Sequence, residues 1–134
     1  MSEIGITFNA KAQAFSRGDL CEVLGTLPNS AEVQVGLRRF VFPCATDARA
    51  LLKEYRSNLV NYGYAYTTAM VVREELLRED AAHALVEFRH FDHADVLLDT
   101  FLTAYFLTRS SCGHWQSKLT ELPEAPLGFP EECV

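Results

Sequence analysis

Basic runs are the first thing this sequence lacks. The only adjacent basic pair in 134 residues is Arg38-Arg39, against a formal net charge of -6. Binding to a phosphate backbone needs a basic face, so neither nucleic acid nor an anionic membrane surface is expected as a partner. Long apolar runs are missing as well, and nothing approaches the roughly 20 residues that cross a bilayer. Met1 to Phe8 carries Glu3 where an export leader would be basic, so a cytoplasmic location is expected. The four cysteines, Cys21, Cys44, Cys112 and Cys133, are scattered without a Cys-x-x-Cys pair. That spacing suits neither a zinc site nor a disulfide framework. There is no Gly-x-Ser-x-Gly elbow, no phosphate-cradling Gly-rich loop and no His-Glu-x-x-His. No cofactor and no metal are expected.

Aromatic residues, in contrast, are well supplied. Nine Phe, five Tyr and a 49% hydrophobic share describe one globular domain with its own core. Phe8, Ala12 and Phe15 recur at helical steps and share a face. Arg17-Gly18 ends that helix, and Asp19 caps a second, with Glu22 in capping-box position and a stripe of Leu20, Val23, Leu24 and Leu27. Leu27-Pro28-Asn29 stops it. Between Ala31 and Phe42 the period becomes two, with Val33, Val35 and Leu37 alternating with polar residues or glycine, which predicts one or two short strands. Pro43-Cys44-Ala45 connects to a third helix that buries Leu51, Leu52, Tyr55 and Leu59 and stops at Gly63. Strands are then expected at about 64–77, 82–91, 96–109 and 115–122, joined by short polar turns and hence antiparallel. Residues 123–134 form a Pro-rich tail that either wraps or dangles. Three helices followed by a sheet make an α+β domain over residues 1–122.

Three stretches resemble the nuclear transport factor 2-like superfamily, and in particular its SnoaL-like branch. Phe15-Ser16-Arg17-Gly18-Asp19-Leu20 resembles the junction closing the family's first helix. Thr46 to Leu52 resembles its capped third helix. Tyr105-Phe106-Leu107-Thr108-Arg109 followed by Gly113-His114-Trp115 resembles its strand, turn and final strand. The resemblance implies a cystatin-like cone of three N-terminal helices on a curved, mainly antiparallel sheet, enclosing a mostly apolar cavity. It also implies homodimers formed through the sheet. Ketosteroid isomerase is the best-understood enzyme on this fold. Its carboxylate base position falls on Val35, its oxyanion tyrosine on Lys11 and its oxyanion aspartic acid on Tyr105. Valine accepts no proton, which excludes that mechanism as it stands. Tyr105 remains competent to donate a hydrogen bond to a developing oxyanion.

Strand parity extends the site. Ala84, Val86, Phe88 and His90 share one side of their strand, and the resemblance places that side on the concave face. Phe101 follows from Tyr105 by steps of two. The expected site is therefore His90 as acid–base group and Tyr105 as hydrogen-bond donor, with Phe15, Tyr55, Val86, Phe88 and Phe101 lining the ligand. A second reading of His90 is a rim histidine satisfied by a neighbour or water. His90-x-x-His93 straddles a turn, where Asp92 and Asp95 read as turn formers rather than metal ligands.

Two functions stay open on these residues. One is a pocket protein that binds a small, largely apolar molecule and performs acid–base chemistry of an isomerase, cyclase or dehydratase kind. The other is a non-catalytic binding or dimerisation module with a vestigial pocket. A homodimer is expected in both, because Leu98, Leu102 and Phe106 lie opposite Tyr105 on their strand and would leave a broad apolar patch in water.

Overall fold

Ser2 starts the structure by accepting the amide of Gly5 at 2.9 Å, which caps helix α1 (Glu3–Arg17). This computed structural model describes residues 2–24, 31–42 and 45–130. The stop at Leu27-Pro28-Asn29, the Pro43-Cys44 connector, Cys133 and the last four residues lie outside them. Helix α1 buries Ile4, Phe8, Ala12 and Phe15, and Gly18 ends it at φ 79°. A side chain there would be strained by that φ, and its Cβ would sit 3.3 Å from the Arg56 guanidinium. Arg56 itself donates to the carbonyls of Phe15 and Ser16 at 2.7 and 2.8 Å, two acceptors of the last helical turn, where intrahelical donors run short. Helix α2 (Leu20–Leu24) begins where the Asp19 carboxylate accepts the Glu22 amide at 3.1 Å. Glu22 does not close the expected capping box; its carboxylate pairs with Arg17 at 2.7 Å.

Strands β1 (Ala31–Val35) and β2 (Arg38–Phe42) form an antiparallel hairpin. Leu37, expected in the alternating apolar set, occupies the turn and is fully exposed. Helix α3 (Ala45–Val60) buries Leu51, Tyr55 and Leu59, with Leu52 half-buried. Four strands follow: β3 (Tyr64–Arg78), β4 (Ala81–Asp92), β5 (Leu97–Arg109) and β6 (Trp115–Leu122). All six strands form one sheet, ordered β2-β1-β6-β5-β4-β3. Every pairing is antiparallel except β1 with β6, which is parallel. That single parallel pair folds the N-terminal hairpin onto the last strand and lengthens the concave face. The result is an α+β domain with helices packed on a six-stranded mixed sheet.

The core lies under α1. Ile4 and Phe8 pack against Ala82, Ala84 and Val86 of β4, Leu107 of β5 and Trp115 of β6. Phe15 joins Tyr55, Leu59 and Tyr64 in a second cluster at the other end of the helix. The register of β4 on β5 pairs Ala84 with Tyr105, Val86 with Thr103, Phe88 with Phe101 and His90 with Asp99. All eight therefore share the concave face. A bulge opposite His90 and Phe91 breaks this alternation. It turns Leu98, expected outside, onto the cluster of Phe15 and Tyr55. Residues 123–130 wrap across the end of the helices. The Leu127 amide donates to Asp99 at 2.9 Å, Asn58 donates to the Gly128 carbonyl at 2.9 Å, and the Phe129 ring meets Tyr55 and Phe40. Among the described residues no helix is long and apolar enough to cross a membrane.

Candidate functional site

Helices α1 and α3 stand off the concave face far enough to leave a cavity of about 220 Å³. Phe8, Lys11, Ala12 and Phe15 line it from α1, since steps of three and four return to one helix face. Leu51, Leu52 and Tyr55 line it from α3. Phe88 and His90 come from β4, Phe101, Thr103 and Tyr105 from β5, and Pro126 and Phe129 from the wrapped tail. Six of the seven expected site residues thus converge on one space. Val86 does not. It points to the same side of β4, but α1 closes directly over it, so it is sealed into the core with Ile4 and Phe8.

At one end of the cavity sits His90, 2% exposed. Its Nε2 is 2.7 Å from the Tyr55 hydroxyl and its Nδ1 is 2.7 Å from Thr67 Oγ1. Thr67 in turn bonds the Tyr64 hydroxyl. The Thr67 amide donates to Ser16 Oγ at 2.8 Å, and Ser16 donates to the Ala12 carbonyl at 2.8 Å. Phe15 stacks on the imidazole and Tyr64 meets it edge-on. One neutral ring satisfies both neighbours, donating through one nitrogen and accepting through the other. Burial pushes its pKa down from 6.5 to about 4. The acid–base role expected of His90 requires a free nitrogen and a titration near neutrality. Neither is present, and His90 instead joins α3 to β3 and β4. Burial, aided by the negative charge of Asp99, holds the Tyr55 phenol well above its ordinary range, so it too stays protonated.

The other end is different. Tyr105 lines the cavity beside Phe8, their ring centroids 4.5 Å apart. Burial raises its phenol above the usual value of 10.0, with the nearby Thr103 hydroxyl acting in the opposite sense. Thr103 is 1% exposed, and among the described residues its Oγ1 has no partner in hydrogen-bonding geometry. Ser117 and Thr120 of β6 complete this end, their hydroxyls 2.8 Å from each other. Lys11 lines the cavity from α1, one turn beyond Phe8, half-buried and without an ion pair among the described residues. Burial alone lowers its pKa. Sequence reasoning aligned Lys11 with an oxyanion position but left it out of the site. The available signal was a lysine on the apolar stripe, three residues after Phe8 and four before Phe15. Val35, the aligned base position, is buried in β1 away from the cavity lining.

His93 lies in the β4–β5 turn, where Asp92 accepts the amides of Ala94 and Val96 at 2.8 and 2.9 Å. Those carboxylate bonds organise the turn. Among the described residues no group of three His, Cys, Asp or Glu could hold a metal ion.

No family model matches this chain, and no curated protein matches it by sequence. Solved structures match it by shape. A domain of unknown function with a cystatin-like fold from Nostoc punctiforme superposes with a TM-score of 0.73 at 15% identity, over 91% of this chain and 75% of that one. An NTF2-like protein with a cystatin-like fold from Novosphingobium aromaticivorans gives 0.66 at 16% identity, over 89% and 77%. A ketosteroid isomerase-like protein from Erwinia carotovora gives 0.58 at 17% identity, over 93% and 100%. Identities this low carry the backbone and not the chemistry. The chain has the cystatin-like fold of the NTF2-like proteins.

Proposed function

We propose that this protein binds a small, largely apolar molecule in the cavity between α1, α3 and the concave sheet face. The carrying observation is the cavity of about 220 Å³, walled by Phe15, Phe88 and Phe101, with the Tyr105 phenol at one end. Apolar walls with a few convergent polar groups are the common form of a small-molecule site. Tyr105 donates a hydrogen bond to a ligand oxygen, while His90 holds the wall in place. This is a binding reading, supported by Val35 at the aligned base position and by the engagement of both His90 nitrogens. The test is displacement of an environment-sensitive apolar dye by small hydrophobic compounds, against an Ala12→Trp variant that fills the cavity. Wild type is expected to take up and release the dye and the variant to exclude it; equal uptake overturns the reading.

The same protein is proposed to be a homodimer through the outer sheet face. With Leu98 turned inward, Leu85, Leu102, Ala104 and Phe106 supply the centre of that face. Met70 and Leu102 are exposed large apolar side chains on it, which favours a partner surface. Light scattering at micromolar concentration is expected to give twice the 15.1 kDa chain mass, and a value of 15.1 kDa would refute it.

A further inference from the structure

Resting on the reading of the cavity as a small-molecule site, we infer that its ligand is an apolar carboxylic acid whose carboxylate is held by Lys11, Thr103 and Tyr105. An ammonium facing an apolar cavity is costly unless an anion accompanies it. Lys11 has no such companion among the described residues. The charged and titratable groups around the cavity do not supply one. Glu32, which also lines the cavity, is held by Arg39 at 2.6 Å, and His90 and Tyr55 are bonded to each other. Thr103 adds a second sign, a buried hydroxyl in the lining that among the described residues has no partner in hydrogen-bonding geometry, although the Tyr105 phenol lies close enough to feel it. Buried polar groups are nearly always satisfied, and the exceptions call for a missing partner. Thr103 and Tyr105 are two residues apart on one strand, so their hydroxyls serve the same side.

The chemistry selects the ligand class. A carboxylate accepts several hydrogen bonds and carries one charge, matching one ammonium and two hydroxyls. A phosphate ester brings up to two charges and three further oxygens, which a single lysine among phenyl rings does not balance. The ligand body then lies against Phe15, Phe88 and Phe101 towards His90. Transfer of the carboxylate into this site also restores Lys11 towards its ordinary pKa.

The experiment compares matched acids and alcohols, octanoate with octanol and phenylacetate with phenylethanol, by calorimetry at neutral pH. Wild type is expected to bind each acid about tenfold or more tightly than its alcohol. Lys11→Met is expected to lose that preference while keeping the alcohol, and Thr103→Val to reduce it by a smaller factor. Acids and alcohols binding wild type equally, or the preference surviving in Lys11→Met, overturns the inference and leaves the pocket reading standing. Failure of all four probes to enter wild type overturns the pocket reading, and the inference with it.

Discussion

The two ends of the cavity contain similar groups and treat them differently. At the His90 end an imidazole, two phenols and two hydroxyls are bonded to one another and to backbone, and both ring nitrogens are taken. At the Tyr105 end, among the described residues, the buried Thr103 hydroxyl has no partner in hydrogen-bonding geometry and the Lys11 ammonium of the cavity lining has no ion pair. A closed network defines structure, because every member is already stabilised by another. Open valences define a place for something else. Residue type alone would have ranked the ends the other way, since histidine is the usual acid–base group.

The comparison breaks most directly if removing the imidazole costs little. His90→Leu leaves the Tyr55 hydroxyl buried without its partner and Thr67 with one bond fewer. A loss of about 3 kcal/mol in unfolding free energy is expected from those groups. Tyr105→Phe, at the open end, is expected to change stability by less than about 1 kcal/mol while weakening ligand binding. Urea denaturation of both variants checks the pair. Equal costs would mean the two ends are not distinct.

Protonation tests the closed end without a mutation. The folded pKa of His90, about 4, lies below its unfolded value of 6.5. The unfolded chain therefore binds more protons between those values, and stability rises with pH across that window. His90's contribution is full above about pH 6.5 and is lost as pH falls towards 4, by up to about 3 kcal/mol. Proton NMR of the imidazole is expected to show a neutral ring at pH 5.5. A charged ring there would show that the network does not exclude the proton.

Much of the cavity lining was legible in the sequence while the contrast between its ends was not, and the illegible part has identifiable causes. Strand parity put Phe88 and His90 on one side, and the resemblance to the NTF2-like family supplied Tyr105, Phe101 two steps of two from it, and the choice of the concave side; these four line one space with Phe15 and Tyr55. Val86 failed because parity gives a side of the sheet and not what covers it. Leu98 failed because a bulge leaves no mark in alternation. The parallel β1–β6 pair joins segments far apart in the chain. The partners of His90 lie 35 and 23 residues away, on α3 and β3. Their presence decides whether a histidine is free, and no local pattern reports it.

The wrapped tail sharpens the comparison because it abuts the closed end. Phe129 lies 5.8 Å from Tyr55 between ring centroids, and Leu127 donates to Asp99. Phe129 is half-buried, so Phe129→Ala is expected to cost about 1–2 kcal/mol, less than a fully buried aromatic. It should also hasten hydrogen exchange at the Leu127 amide. Unchanged exchange there would show that the ring does not hold the segment down.

The smallest expected effect has the opposite sign. Lys11 lines an apolar cavity without an ion pair among the described residues, and burial lowers its pKa, so the charged form is disfavoured in the folded, unliganded protein. Lys11→Met keeps the unbranched stem and removes the charge, on a helix where both residues are good formers. The variant is expected to equal or exceed wild-type stability by up to about 1 kcal/mol at neutral pH, in the absence of ligand. Binding sites commonly carry such destabilised groups, whose removal stabilises the fold at the expense of function. A fall of more than about 1 kcal/mol in Lys11→Met would mean that the ammonium already has a stabilising partner. The open end would then be closed like the other, and the distinction between the two would be lost.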